Sequence, residues 1–124
     1  MVIQQVLTRI FVDDIDKAVS FYEKLFHKKC VLRFNYQEVD LELAQIENIL
    51  IICGSEESLK PFRETKVTFV VDSVTEYRNY LLEHGATIIR DLKKVPTGVN
   101  MTVKHADGTI VEYVELKKAT FNVS

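Results

Sequence analysis

The sequence predicts an α+β fold made of two tandem βαβββ modules. Three observations predict it. First, 124 residues with 47% hydrophobic and 27% charged side chains make one globular domain with enough apolar material for a core. Second, apolar positions switch between the two-residue period of a strand and the 3.6-residue period of a helix, and do so in each half. Third, the halves repeat: a shift of 59 positions carries Asp13 onto Asp72, Ile15 onto Val74, Phe21 onto Tyr80 and Tyr22 onto Leu81, the pattern of an internal duplication. The single domain, 1–124, then divides into module one at 1–60, module two at 61–118 and a frayed tail at 119–124.

Each element has a local reason. Residues 6–12 are rich in β-formers and read as a strand. Asp13 and Asp14 offer N-cap oxygens, and Ile15, Ala18, Val19, Tyr22, Leu25 and Phe26 then recur at helical spacing as one buried stripe. His27, Lys28 and Lys29 close that helix, where positive charge suits the dipole. Residues 30–36 form a second strand. Residues 39–46 alternate Val39, Leu41 and Leu43 with Asp40 and Glu42, as a half-solvated strand does. Residues 48–53 form a fourth, more buried one, and 54–63 a polar connector between the halves.

The second half follows the same order. Residues 66–71 read as a strand, Ser73 with Glu76 as a capping box, and Val74, Tyr77, Leu81 and His84 as a helical stripe closed by Gly85. Strands follow at 86–91, 99–105 and 109–116, the first two joined through Pro96-Thr97-Gly98 and the last two through Asp107-Gly108, a strong hairpin signal.

Composition excludes several functions. The net charge is −2, which offers no basic field for a nucleic acid. No apolar run approaches the ~20 residues of a membrane span. Met1-Val2-Ile3-Gln4-Gln5 lacks the basic and then apolar character of a secretory signal. Cys30 and Cys53 match no metal or redox spacing, so both are expected as thiols in a reducing cytoplasm.

The runs Ile10-Phe11-Val12-Asp13-Asp14, Ala18-Val19-Ser20-Phe21-Tyr22-Glu23 with Leu25-Phe26, Phe69-Val70-Val71-Asp72, Gly85-Ala86, and His105-Ala106-Asp107-Gly108-Thr109-Ile110-Val111-Glu112 together resemble the glyoxalase/bleomycin-resistance/extradiol-dioxygenase superfamily, the vicinal oxygen chelate fold. The resemblance covers essentially the whole chain. It implies a curled mixed sheet around a cleft with helices on the convex face. In the enzymes of the family it implies one divalent metal, held by His or Glu from the first and last strand of each module and acting as a Lewis acid.

Carried onto this sequence, those ligand positions fall on Leu7 and Lys66 in the first strands, and on Cys53 and Glu112 in the last strands, each pair related by the shift of 59. Leucine has no donor, and a lysine ammonium repels a divalent ion. A catalytic metal takes about three protein ligands, and only Glu112, with Cys53 as a poor second, qualifies. Lys66 is expected to replace the metal as counter-charge to Glu112, with Arg9 pointing the same way as Leu7. The set serves either as a structural ion-pair network or to hold the polar end of a small ligand.

Strand phase adds Thr68, Asn100 and Thr102 to the same face, against Val67, Phe69, Met101, Val103, Val111 and Tyr113 on the helix side. Phe34 and Tyr36 read as core before cleft wall. His105 reads as a hairpin residue bonded to its own turn, and Cys53 as an inert thiol in a buried strand.

The sequence therefore points to a metal-free, cytoplasmic, homodimeric binder of a small polar or anionic molecule, of the bleomycin-resistance type, with no nucleic acid or membrane as partner. The ligand-binding candidates are Arg9, Lys66, Thr68, Asn100, Thr102 and Glu112. The alternative is a metal-dependent glyoxalase I-like lyase or dioxygenase.

Overall fold

A computed structural model describes residues 1–117; the tail expected at 119–124, and Lys118 before it, lie outside the described residues. The described residues form two compact units, one of Leu7–Lys66, the other of Met1–Val6 with the described residues from Val67 on. Each is a βαβββ module.

In the first unit β1 (Ile3–Val12, of which Leu7 onward belongs here), α1 (Ile15–Phe26), β2 (Leu32–Tyr36), β3 (Leu41–Ile46) and β4 (Ile49–Cys53) follow one another. The strands lie in the order β2-β3-β4-β1, with β1 and β4 parallel and the other pairs antiparallel. α1 starts where Asp14 Oδ1 accepts from the Lys17 N–H at 3.0 Å. It ends at His27, whose φ of 55° is left-handed.

Ile15 and Val19 pack with Ala44, Ile46, Ile49, Ile51 and Cys53, and Ile10, Val12, Ala18 and Tyr22 edge that cluster. The buried stripe ends there. Leu25 and Phe26, expected within it, are exposed; neither joins the cluster under α1, and Phe26 stacks on Tyr22 with ring centroids 6.3 Å apart. β3 is also more buried than its alternation suggests, with five of its six residues covered. It is flanked on both edges by β2 and β4, and its Leu41, Leu43 and Gln45 are covered as well as its helix-facing residues. Val39 belongs instead to a 3₁₀ turn, Gln37–Val39, closed by Asp40 at φ 57°. The connector after β4 contains a short helix, α2 (Glu56–Leu59), capped by Ser55 and anchored by buried Leu59.

In the second unit β5 (Val67–Val71), α3 (Val74–Glu83), β6 (Thr87–Val95), β7 (Gly98–Lys104) and β8 (Ile110–Leu116) repeat the order. The strands lie as β5-β8-β7-β6, with β5 and β8 parallel. Ser73 Oγ accepts from the Glu76 N–H at 3.2 Å, and the Glu115 carboxylate takes the Val74 N–H at 3.1 Å. Val74, Tyr77 and Leu81 of α3 pack on Val71, Met101, Val103, Val111 and Tyr113. His84, expected in that stripe, is exposed and stacks on Tyr80 at 4.0 Å. Gly85 follows at φ 83° as the left-handed closing residue. At Gly98 a Cβ would stand 1.9 Å from the Glu115 carbonyl oxygen, so that turn admits only glycine. β1 begins three residues earlier than its composition suggests, with its start fastened by Asp72: the Val2 N–H donates to Asp72 Oδ1 at 2.8 Å and the Asp72 N–H to the Val2 carbonyl at 3.2 Å.

β6 extends past its expected end at 91 to Val95 and carries two register shifts. α3 is tied to it by a two-pronged bond from Arg78 to Asp91, Nε to Oδ1 at 2.7 Å and Nη2 to Oδ2 at 2.8 Å. The guanidinium holds the Asp91 carboxyl down at about 2, against an ordinary 3.8. A carboxyl depressed on folding lends stability above its unfolded value and loses it as pH falls through the folded one. Asp91→Asn is therefore expected to flatten the decline in unfolding free energy between about pH 4 and pH 2. Urea titrations at several pH values check this, and an unchanged slope refutes it.

Candidate functional site

Alternation along the strands sorts the side chains. In the second unit Val67, Phe69, Val71, Val111 and Tyr113 lie on the α3 side, so Thr68 and Glu112 face the other way, as expected. Register then aligns Thr68, Glu112, Thr102 and Arg90 side by side across β5, β8, β7 and β6. Both carboxylate oxygens of Glu112 accept hydrogen bonds: Oε1 from Thr68 Oγ1 at 3.2 Å, Oε2 from Asn100 Nδ2 at 3.0 Å. Asn100 Oδ1 accepts in turn from Arg90 Nη2. Thr68 and Asn100 are buried, at 1% and 6% exposure, and a carboxylate beside them would be costly without such donors. Arg90 was not foreseen; its place in the row depends on the β6–β7 register, which no local pattern reveals.

In the first unit Ile10 and Val12 lie on the α1 side, so Leu7, Arg9 and Phe11 face away. Arg9 is buried, and its N–H donates to the Lys66 carbonyl at 3.0 Å. The Lys66 side chain is exposed, with its ammonium 6.0 Å from the centroid of Phe11. The Arg63 guanidinium stands over the same ring at 5.6 Å. Among the described residues no carboxylate pairs with Arg63 or Lys66. Phe11 and Arg63 were missed by the sequence reading. The signal for Phe11 was its shared phase with Leu7 and Arg9; Arg63 lies in the connector and gave none. Phe34 and Tyr36 are half-buried on β2.

Register also corrects the position paired with Glu112. Arg9 aligns with Leu50 in one unit as Thr68 aligns with Glu112 in the other. The counterpart of Glu112 is therefore Leu50, 62 positions away. Cys53 is not that counterpart: it lies beneath α1 with Ile15 and Val19. Burial raises its thiol pKa, with the nearby Glu42 carboxylate adding to the effect. His105 also differs from expectation. Its backbone closes the turn with Thr109 and Gly108, but its ring bonds to the Tyr113 hydroxyl, Nε2 to O at 2.7 Å. Burial pushes Tyr113 up to about 12, so that hydroxyl keeps its proton.

The divalent ion that the fold family implies does not fit these residues. Leu7 and Leu50 present hydrocarbon and Lys66 a cation, which leaves Glu112 as the one ordinary donor of the four. Among the described residues no three His, Cys, Asp or Glu side chains gather as a metal site.

A duplicated βαβββ unit with a parallel pair of first and last strands, and a glutamate on the final strand facing away from the helix, defines the vicinal oxygen chelate class. The model of the Glyoxalase/Bleomycin resistance protein/Dioxygenase superfamily matches residues 3–113, and the chain belongs to that superfamily. An uncharacterized protein from Methanosarcina mazei is 52% identical over 95% of this chain and 96% of its own, with a TM-score of 0.90. Methylmalonyl-CoA epimerase from Mycobacterium tuberculosis is similar in fold at 14% identity, covering 99% of this chain and 97% of that one, TM-score 0.75. A variant of the Streptomyces coelicolor methylmalonyl-CoA epimerase, in complex with 2-nitronate-propionyl-CoA, is similar at 16% identity over 94% and 97%, TM-score 0.74. No curated protein matches the chain. Among the described residues no helix is long and apolar enough to cross a membrane.

Two outcomes are expected. Thr68→Val, which keeps the shape and removes the hydroxyl, should lower stability by about 1–3 kcal/mol through the under-satisfied Glu112; urea unfolding measures it, and Glu112→Gln in the same background should recover part of the loss. A thiol reagent should leave Cys53 unmodified in the native protein and modify it in denaturant, as peptide mass mapping would report.

Proposed function

We propose that this protein is a metal-free binder of a small anionic molecule, recognised through Arg63 and Lys66, both set against the Phe11 ring, with Arg9 on the same strand as Phe11. The observation that carries the reading is the pairing of two exposed cations with one aromatic ring, neither cation neutralised by a carboxylate among the described residues. An exposed cation without a carboxylate partner can donate charge-assisted hydrogen bonds to an anion. A planar guanidinium suits a carboxylate or phosphate in two-pronged fashion, and a lysine adds a mobile point charge.

Leu7 and Leu50 support the metal-free part, because they put hydrocarbon where the family's enzymes place donors. The reading also makes the protein a cytoplasmic homodimer, consistent with two free cysteines.

The test is a thermal-shift and calorimetric screen of small carboxylates and phosphate esters on tag-free protein. A ligand at 100 times its Kd should add about 2.7 kcal/mol. Arg63→Gln with Lys66→Gln should weaken the best anion at least tenfold, and raised salt should weaken it too. The reading fails if that double variant binds the anion as tightly as the parent. It also fails if the purified protein carries about one transition metal per chain and chelation abolishes binding, which would favour the metal-dependent lyase or dioxygenase.

A further inference from the structure

On the helix side of the second unit, away from Glu112, α3, the turn after β7, Met1 and the start of β1 line a solvent-open cavity of about 430 Å³. That volume falls in the range of small-molecule sites. Its walls are aromatic and apolar: Tyr77, Tyr80 and Tyr113 present rings, and Leu81 and Ile3 hydrocarbon. The rings are set by one another. Tyr77 and Tyr113 lie 5.6 Å apart, and Phe69 meets Tyr113 edge-on at 5.4 Å.

Two imidazoles also line it, His84 and His105. Each is oriented by a bond of its own. His105 Nε2 is joined to the Tyr113 hydroxyl at 2.7 Å. His84 Nδ1 lies 2.7 Å from the Tyr80 carbonyl, which only accepts, so Nδ1 carries the proton. In the neutral ring Nε2 is then an acceptor. Stacking on Tyr80 at 4.0 Å fixes the plane of that imidazole. Among the described residues no Asp, Glu, Lys or Arg side chain lines the cavity. At its rim the Met1 ammonium is compensated by Asp72 and Glu76 at 3.6 and 3.5 Å.

A site of this composition disfavours a charged guest and favours a flat apolar one, since aromatic faces gain from offset or edge-on contact with another ring. We propose that the cavity binds a neutral planar aromatic molecule bearing one N–H or O–H donor, with the donor directed at His84 Nε2 and the ring against Tyr77, Tyr80 and Tyr113. It is a second site, on different residues from the proposed anion site, and stands whether or not that one does.

Indole and N-methylindole are the probes, because they differ in the single donor. Nuclear magnetic resonance titration of the full chain with indole should give saturable shifts confined to α3, the 105–109 turn and the start of β1. Indole should bind about fivefold tighter than N-methylindole, the scale of one hydrogen bond. Ala106→Trp, at an exposed turn position that borders the cavity, should abolish the shifts while leaving the spectrum folded. His84→Phe keeps a ring on Tyr80 and should erase the preference for indole. The proposal is overturned if no saturable shifts occur, if they fall elsewhere, if the filled variant still binds, or if the parent protein binds both probes equally.

Discussion

The parallel pairing of the first and last strand in each module is the constraint on which the rest depends. In the second unit it sets Thr68 beside Glu112 and Phe69 beside Tyr113. Because strand side chains alternate, that register places Val111 and Tyr113 beneath α3 and Glu112 on the opposite face. A slip by one residue would push a carboxylate into the apolar cluster under the helix and expose two of its members. The cost of burying an unpaired carboxylate exceeds anything a neighbouring contact returns. Packing under α3 and polar satisfaction of Glu112 therefore enforce the same register.

The two modules solve that constraint with different chemistry. The row Thr68, Glu112, Thr102, Arg90 corresponds to Arg9, Leu50, Gln45 and Leu32 in the first unit. Where the second unit holds a carboxylate, the first holds leucine, and its outer neighbour is leucine in place of arginine. A carboxylate requires donors around it, and Thr68 and Asn100 provide them; a leucine requires none. One unit thus centres its row on a hydrogen-bonded carboxylate, and the other alternates Arg9 and Gln45 with two leucines.

Much of this was legible in the sequence wherever the information is local. Alternation placed Asn100 opposite Met101 and Glu112 opposite Tyr113, and the caps at Asp14 and Ser73 marked both long helices. What failed was long-range. A constant shift of 59 holds from β1 to β5, but the segments that follow differ in length, so Glu112 matches Leu50 and not Cys53. The contact of Arg63 with Phe11 joins residues far apart in the chain, and no pattern within either segment signals it. Leu25 and Phe26 fit the helical stripe, but whether a helix's last turn stays over its sheet depends on strands that come later. The partner of the His105 ring, Tyr113, also lay across a hairpin rather than within the turn.

The division of β1 between the two units has a kinetic consequence. Leu7–Lys66 can form its contacts once the chain is made as far as Lys66. Met1–Val6 has to wait for Asp72 and the strands after it, so the Val2–Asp72 bonds close a loop of 70 positions. Closing such a loop is entropically slow relative to a hairpin. During synthesis the first six residues, Val2, Ile3 and Val6 among them, are thus without the Asp72 bonds that later hold them. This is the interval in which the chain is most open to pairing with a neighbouring copy.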